Sequence, residues 1–212
     1  MRYLALILLL ALSGCREAEP EPAVVEVVEA MPNIVIKEKI ELYDMRHEKG
    51  DILMLGDSYI ENADWDELIG IDTVNRGIGG DTIEGVINRL YQIENVEPKV
   101  CFLYIGLNPL GERTPMEWLK RYHVIITYLL VNSIEPVAHT LALVDNELTN
   151  TFILAFNDAL REYCVGVGID YIDLEKVTII LEPSKRLTDG IHLSDEAYKL
   201  WAEEIKKLLR EQ

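Results

Sequence analysis

Three residues of the sequence have the types and positions needed for nucleophilic catalysis. Ser58 lies just after the apolar run 52–55, which is typical of a strand buried on both faces. Gly56 permits a sharp turn there, so we expect Ser58 to begin a helix at the carboxyl end of the sheet. Asp189 and His192 stand three residues apart near the end of the chain. A serine hydroxyl becomes a nucleophile when a base removes its proton, and a histidine oriented by a carboxylate is such a base.

Two more segments, 79–81 and 106–108, carry glycine and polar residues just after or close behind predicted strands. Taken alone, each candidate segment has a simpler interpretation. An aspartate followed by Ser58 is typical of a helix cap, and Asp189 followed by glycine is typical of a turn. Because the carboxyl ends of parallel strands meet at one edge of a sheet, the segments together favour one shared site over several unrelated turns.

The elements that would position these residues alternate between strand and helix patterns. Buried apolar runs predict five strands, at 51–55, 73–76, 99–105, 135–140 and 169–172. Helical spacing and caps predict helices at 35–45, 82–93, 115–131, 146–165 and 195–210, the last capped by Ser194, with a helical turn region near Trp65. Residues 173–188 are predicted to be largely loop. The alternation predicts an α/β fold, a three-layer α/β/α sandwich with a mainly parallel five-stranded sheet.

Four segments, taken in order, resemble the sequence blocks of the SGNH (GDSL) hydrolase superfamily: 56–58, 79–81, 106–108 and 189–192. The run 75–82 is similar to the branch that contains platelet-activating-factor-acetylhydrolase-like and lysophospholipase-like esterases. The resemblance extends from about residue 51 to the end of the chain. It implies a flavodoxin-like fold and a serine hydrolase that acts on carboxylic ester bonds and needs no cofactor.

The resemblance also implies a role for each matching residue. Ser58 would be the nucleophile, His192 the general base and Asp189 the residue that orients the histidine ring. The oxyanion of the tetrahedral intermediate would be bound by the backbone N–H groups of Ser58 and Gly80 and by the side-chain amide of Asn108. The substrate would be a small acyl ester, acetyl esters among them, of a carbohydrate or lipid in the cell envelope.

At two positions the sequence departs from the family pattern. Pro109 stands where the third block usually has aspartate, and Tyr59 follows Ser58 where leucine is common. Tyr59 is expected to shape the acyl pocket. Pro109 motivates an alternative to an enzyme, namely a catalytically silent binding module that retains the fold and is tethered to the envelope.

The first 33 residues are predicted to be an export signal followed by a tether. Arg2 precedes the short apolar run 3–12, and Ser13, Gly14 and Cys15 follow, which resembles the lipobox of bacterial lipoproteins. We therefore predict a lipoprotein signal peptide at 1–14, lipid attachment at Cys15, an extended acidic tether at 15–33 and the hydrolase domain at 34–212. The alternative is an ordinary signal peptide with a chance cysteine. In a bacterium with two membranes, Arg16 after Cys15 would favour the outer membrane by analogy.

Net charge and missing motifs argue against several other classes of function. The formal net charge of −17 argues against nucleic acid and against adsorption to anionic membrane surfaces, so the lipid anchor is the expected contact with a membrane. A nucleotide-binding flavodoxin-like domain is disfavoured because the sequence has no glycine-rich phosphate loop. A metal hydrolase is disfavoured because no histidine and carboxylate pairs have ligand spacing. The residues leave the oligomeric state open.

The remaining histidines are predicted to be structural or surface residues, and the remaining cysteines to be structural. His47, His123 and His139 have no matching partners in sequence, although His139 at the end of a strand could line the pocket. Cys101 falls in a core strand and Cys164 near a helix end. We predict that both are buried free thiols, because a residue in an interior strand seldom reaches a helix end at bridging distance.

Overall fold

A computed structural model describes residues 23–108 and 114–211 of the chain, with side chains described from residue 34 onward. The predicted signal peptide, the predicted lipidation site Cys15 and Pro109 lie outside the described residues. Across the described ranges, no helix is both long enough and apolar enough to cross a membrane.

Within the described residues, five parallel strands form one sheet, as predicted from the apolar runs. They are β1 (Ile52–Gly56), β2 (Val74–Gly77), β3 (Val100–Tyr104), β4 (Glu135–His139) and β5 (Tyr171–Ile172), in the order β2-β1-β3-β4-β5. Gly56 at the end of β1 is in register with Gly77 of β2 and Tyr104 of β3. The loops that follow these three strands therefore leave the sheet side by side.

Helices cover the sheet on both faces, which confirms the α/β sandwich. They are α1 (Ala23–Met45), α2 (Ser58–Glu61), α3 (Trp65–Ile69), α4 (Ile83–Asn88), α5 (Ile93–Val96), α6 (Pro115–Val131), α7 (Glu147–Val167), α8 (Leu174–Thr178), α9 (Pro183–Arg186) and α10 (Asp195–Glu211). Helix α6 packs against α4 and α7, whereas α10 packs against α3, α8 and α9. All residues of β1 and β3 are buried, as strands enclosed between two helical layers require.

Helix α1 begins at Ala23, twelve residues before the predicted start at 35. The prediction that residues 23–33 are extended is therefore wrong. Alanine and glutamate in this stretch favour helix. Apart from Pro32, which has no backbone N–H, each residue added to an existing helix can gain one backbone hydrogen bond without a new nucleation step. The domain boundary at residue 34 stays a prediction.

Two further predictions of elements need correction. The predicted helix 82–93 is divided into α4, a short 3-10 helix at Leu90–Gln92, and α5. The segment 173–188, predicted as loop, contains α8 and α9. Helices of four or five residues show too little periodicity to detect, but Asp173 caps α8 and Pro183 occupies the first turn of α9. Asp173 and Pro183 are therefore the sequence features from which the two helices could have been predicted.

The last helix and the two cysteines follow the predictions. The hydroxyl of Ser194 accepts a hydrogen bond from the Ala197 N–H at 3.2 Å, so Ser194 caps α10. Trp201 on the inner face of α10 is completely buried. Cys101 and Cys164 are buried free thiols, and burial raises the pKa of each, to about 12 for Cys164.

Candidate active site

Ser58 is the first residue of α2 and lies at the carboxyl end of β1. Asp57 caps this helix, because its Oδ1 accepts a hydrogen bond from the Tyr59 N–H at 3.0 Å. Gly56 is required by close packing. A Cβ at position 56 would lie 1.8 Å from the carbonyl oxygen of Tyr104. The strand can therefore end beside β3 and turn sharply into α2 only with glycine at this position.

The side chains of Ser58, His192 and Asp189 form a continuous hydrogen-bonded chain. The distance from Ser58 Oγ to His192 Nε2 is 3.0 Å, and from His192 Nδ1 to Asp189 Oδ2 is 2.7 Å. With Nδ1 donating its proton to the carboxylate, Nε2 presents a lone pair to the serine hydroxyl. The hydrogen bonds from His192 hold the pKa of Asp189 below its usual range, so this carboxylate is ionised at neutral pH.

The loop that carries Asp189 and His192 is shaped by local hydrogen bonds. Asp189 Oδ1 accepts from the backbone N–H groups of His192 at 2.8 Å and Ile191 at 3.0 Å. The Thr188 N–H donates to the His192 carbonyl at 2.9 Å, which closes the loop at its base. The Tyr59 hydroxyl donates to the Ile191 carbonyl and so connects the loop to α2. Asp189 can therefore present its carboxylate to the ring from within the same loop.

The predicted oxyanion donor Gly80 lies in a tight turn after β2. The Asp81 N–H donates to the Ile78 carbonyl at 3.0 Å, and Gly80 has a φ of +77°. A Cβ at position 80 would meet no protein atom within 4 Å, so the left-handed backbone rather than lack of space requires glycine here. The Gly80 N–H has no acceptor among the described residues, and Asn108 lines the same cavity.

A buried ion pair connects this turn to the end of β1. Arg89 Nε lies 2.8 Å from Asp81 Oδ2, and the two side chains are 1% and 2% exposed. Arg89 also donates through Nη2 to the Gly56 carbonyl at 3.0 Å. One guanidinium therefore holds the backbone before the nucleophile and the turn that carries Gly80 at a fixed separation.

Asp57 is completely buried beneath the site. Burial raises the pKa of its carboxyl to about 7, against the effect of the Tyr59 N–H and of the nearby Gly106 and Leu107 N–H groups, which lower it. Its Oδ2 makes no hydrogen bond with any described residue. The carboxyl group lies where the ends of β1 and β3 leave the sheet, near the loops that follow both strands.

A cavity of about 780 Å³ joins the segments that the sequence analysis singled out. It contains all five predicted catalytic and oxyanion-hole residues together with Tyr59, which was expected to shape the pocket. Its full lining is Ser58, Tyr59, Glu61, Asn62, Gly79, Gly80, Leu107, Asn108, Val144, Asp145, Asn146, Thr149, Asp189, Gly190, Ile191 and His192.

Sequence reasoning missed the part of the lining contributed by Glu61, Asn62 and the segment 144–149. Glu61 lies one helical turn after Ser58, and that spacing was the available signal. The segment 144–149 follows β4 without any motif. Its position in the cavity depends on the Asp145 N–H, which donates to the Gly190 carbonyl at 2.7 Å.

The remaining histidines lie away from the cavity. His139 is buried against Trp201, with ring centroids 5.2 Å apart, so the alternative that it lines the pocket is wrong. Its Nδ1 lies 2.9 Å from the Leu103 carbonyl, and burial lowers its pKa to about 4. His123 is exposed, with Nδ1 2.8 Å from the hydroxyl of Tyr163, and His47 is exposed. Each is a structural or surface residue, as predicted.

The parallel sheet and the hydrogen-bonded serine, histidine and aspartate at its carboxyl edge define a hydrolase of the serine type. The sequence profile of the GDSL-like Lipase/Acylhydrolase family matches residues 54–200, which is more than half of the chain. The chain therefore belongs to this family, whose members are serine hydrolases that act on esters.

Individual proteins resemble the chain in sequence and in fold. Platelet-activating factor acetylhydrolase IB subunit alpha2 of Gallus gallus is 32% identical over 107 residues, which are 47% of this chain and 45% of that protein. The chain thus aligns with less than half of this curated relative. A Streptococcus pneumonia structure described as a platelet activating factor has a TM-score of 0.74 at 21% identity, covering 90% of this chain and 100% of its own.

A variant of an acetyl-xylooligosaccharide esterase from Geobacillus Stearmophilus has a TM-score of 0.64 at 15% identity, covering 76% of this chain and 94% of its own. At these identities, the two structural likenesses establish the shared fold.

Proposed function

We propose that the protein is a serine esterase that hydrolyses short acyl esters, acetyl esters among them, through an acyl-enzyme intermediate. The observation that carries the proposal is the hydrogen-bonded chain from Ser58 Oγ through His192 to Asp189, with distances of 3.0 and 2.7 Å. These distances lie within the range needed for proton transfer and for orientation of the base.

In the proposed first step, Ser58 Oγ attacks the acyl carbon while His192 Nε2 takes the hydroxyl proton. The carbonyl oxygen becomes an oxyanion, which the N–H groups of Ser58 and Gly80 and the amide of Asn108 would bind. His192 then returns its proton to the departing alcohol, which leaves an acyl ester on Ser58. Water, deprotonated by His192, hydrolyses that ester and restores the serine hydroxyl. Asp189 stays ionised and stabilises the imidazolium in both steps.

Support for a short acyl group comes from the cavity and from the relatives. Tyr59 lines the cavity beside Ser58, and its ring stacks on Tyr104 at a centroid distance of 4.7 Å, so aromatic rings fill the space below the nucleophile. One relative is named as an acetylhydrolase and a structural neighbour as an acetyl-xylooligosaccharide esterase. We therefore favour acetyl as the acyl group and a carbohydrate or lipid of the cell envelope as the alcohol part.

The test is hydrolysis of p-nitrophenyl acetate, butyrate and octanoate by the purified protein. The wild type should hydrolyse acetate with the highest kcat/KM, and Ser58→Ala should lower kcat on the order of 10⁴-fold or more. Equal rates for wild type and Ser58→Ala would favour the silent binding module. A preference for octanoate would reject the short acyl pocket while leaving an esterase.

We also propose that the protein is exported and anchored to a bacterial membrane by lipid on Cys15, with Arg16 favouring the outer membrane where two are present. The support is the sequence of residues 1–15, since a short apolar run followed by Ser13, Gly14 and Cys15 fits a lipoprotein signal. Cys15→Ser should move the protein from the membrane fraction to the soluble fraction after cell disruption. A Cys15→Ser protein that still sediments with membranes would refute the anchor.

A further inference from the structure

Among the described residues, Glu61 is the acidic residue that both lines the cavity and binds the glycine turn of the predicted oxyanion hole. It ends α2, one helical turn after Ser58. Its Oε2 accepts a hydrogen bond from the Gly79 N–H at 2.5 Å, and its Oε1 lies 2.5 Å from Lys39 Nζ of α1. The carboxylate therefore bridges the glycine turn and the first helix of the domain.

In the turn after β2, the backbone N–H groups other than that of Gly80 all have acceptors. The Ile78 N–H donates to the Gly56 carbonyl at 3.1 Å, and the Asp81 N–H donates to the Ile78 carbonyl at 3.0 Å. With the Gly79 N–H bound to Glu61, the Gly80 N–H is left without an acceptor among the described residues. Glu61 fixes the peptide group that directly precedes the one carrying the Gly80 N–H, so it limits the directions in which that donor can point.

Glycine at two positions makes this contact possible. A Cβ at position 79 would lie 2.7 Å from Glu61 Oε2 and would push the carboxylate away from the N–H that it binds. A Cβ at position 77 would lie 2.2 Å from the Glu61 backbone nitrogen. The end of β2 and the end of α2 are therefore in direct backbone contact, and Glu61 cannot shift without moving the turn.

Lys39 holds the other oxygen of the carboxylate. Its side chain is 36% exposed and that of Glu61 is 26% exposed, so the pair is partly shielded from water. The hydrogen bond to Glu61 raises the pKa of Lys39, so the ammonium stays charged. A hydrogen bond with an ionised acceptor is shorter and stronger than a neutral one, which fits the contact between Glu61 and Gly79.

We propose that Glu61 is a positioning residue of the oxyanion hole: its carboxylate holds the Gly79 amide so that the Gly80 N–H points at the ester oxygen in the transition state. Lys39 of α1 supports it by fixing the carboxylate. The inference rests on the proposed function, because an oxyanion hole has a task only if Ser58 attacks an ester.

The test compares Glu61→Asp with Glu61→Gln in the full chain, using p-nitrophenyl acetate. Aspartate retains the charge but is one methylene too short to reach the Gly79 N–H, whereas glutamine loses the charge but keeps an acceptor oxygen at the right distance. Loss of a whole oxyanion donor costs about 10²–10³ in kcat, so a misdirected one in Glu61→Asp should cost at least about 10-fold. Glu61→Gln also loses the Lys39 ion pair, so it should remain within about 5-fold of the wild type.

The effect should fall on kcat, with KM within about 3-fold in both variants, because the oxyanion forms only in the transition state. Lys39→Met, which keeps Glu61 and removes its partner, should lower kcat by a smaller factor, about 2- to 5-fold. Glu67→Ala removes an exposed carboxylate of α3 that lies outside the cavity, and it should match the wild type in kcat and KM. It is the matched control for loss of negative charge.

The opposite ranking, with Glu61→Gln impaired and Glu61→Asp active, would overturn the inference. It would show that kcat depends on the charge of the side chain and not on whether the side chain is long enough to contact the Gly79 N–H. Wild-type kcat in both variants would overturn it as well. If either Glu61 variant melts far below the wild type, the kcat of Lys39→Met tests the inference instead. A lower kcat would support it, and an unchanged kcat would overturn it, because the Glu61 carboxylate would then need no partner to hold it. Failure of the proposed function looks different: the wild type itself would show no hydrolysis that depends on Ser58.

Discussion

The two walls of the active-site cleft are built differently. The wall with Ser58 and the glycine turn rests on the Arg89–Asp81 ion pair, whose side chains are 1% and 2% exposed. The opposite wall carries His192 and Asp189, whose side chains are 33% and 54% exposed. The first wall belongs to the buried framework of the sheet, and the second is a surface loop held by hydrogen bonds.

The contrast separates two requirements of the proposed chemistry. Backbone donors must be in place before charge develops, and burial fixes them without reorganisation. The base must exchange protons with hydroxyl, alcohol and water, so it has to stay near solvent. Damage to the buried ion pair that supports the first wall should therefore appear first as lost stability, and damage to the exposed wall as lost activity alone.

Among the substitutions that compare the supports of the two walls, the largest expected effect is on the exposed wall, from Asp189→Asn. The asparagine amide would donate towards His192 Nδ1, which favours the tautomer with a proton on Nε2 and blocks removal of the serine proton. We expect kcat for p-nitrophenyl acetate to fall by about 10³–10⁴-fold. The melting temperature should change little, because Asp189 is exposed and asparagine keeps an oxygen that can accept from the His192 and Ile191 N–H groups.

The matched control for Asp189→Asn is Glu196→Gln, which neutralises an exposed carboxylate in the first turn of α10. It should leave both kcat and melting temperature unchanged. A large drop in the melting temperature of Asp189→Asn would contradict the division between the two walls, since the loop would then contribute to the stability of the fold.

On the buried wall, Arg89→Met should mainly lower stability. Methionine fills similar space but leaves the Asp81 carboxylate without its partner and the Gly56 carbonyl without the Arg89 donor. Breaking one side of a buried ion pair typically costs about 3–5 kcal/mol. We expect that loss in the free energy of unfolding measured with urea at pH 7.

Lys99→Met is the control, because it removes one partner of the exposed Lys99–Asp51 pair, whose side chains are 79% and 67% exposed. Exposed pairs contribute about 0–1 kcal/mol, so its unfolding curve should lie close to that of the wild type. Equal losses for Arg89→Met and Lys99→Met would mean that burial of the first pair does not matter to stability.

A third effect, visible in the pH dependence of stability, is expected from Asp57→Asn. Burial raises the pKa of Asp57 to about 7 in the folded protein, above the ordinary aspartate value that applies in the unfolded chain. Between about pH 4 and pH 7 the folded protein keeps a proton that the unfolded chain has released. Wild-type stability should therefore decrease by up to about 1.4 kcal/mol per pH unit as the pH rises through this window, relative to the variant.

The measurement is urea unfolding of both proteins at pH 4 to 8. As the pH rises, the free energy of unfolding of the variant should increase relative to that of the wild type, and the difference should level off above pH 7. His139, which is buried with a pKa of about 4, makes stability rise with pH up to its unfolded value, but this contribution is common to both proteins and cancels in the difference. Parallel pH profiles would show that Asp57 does not titrate in this window.

The sequence predicted those elements of the fold that are specified by residues close together in the chain. The prediction of α6 at 115–131 is confirmed, because Thr114 and Glu117 form a capping box and Pro115 begins the helix. The predicted start of α1 was wrong, and so was the prediction of a loop where α8 and α9 lie. Short or uncapped elements offer few periodic positions, and their stability comes from packing rather than from their own residues.

The candidate site shows the same division. Asp189 was placed beside His192 from their spacing, and the structure shows that the loop is closed by hydrogen bonds to Asp189 within three residues. Glu61 was missed, because the contact that gives it importance is with Gly79, which belongs to another strand and loop. The lining segment 144–149 carried no motif at all.

The amino-acid sequence by itself determined the order of strands and helices, the family, and the loop that pairs Asp189 with His192, because these depend on patterns and hydrogen bonds within a few residues. Only the tertiary structure decided that Ser58 meets His192 across 134 positions of the chain, that Arg89 joins the end of β1 to the glycine turn, and that Asp57 is buried. Those properties come from packing between distant segments and from removal of water, which no short stretch of residues carries.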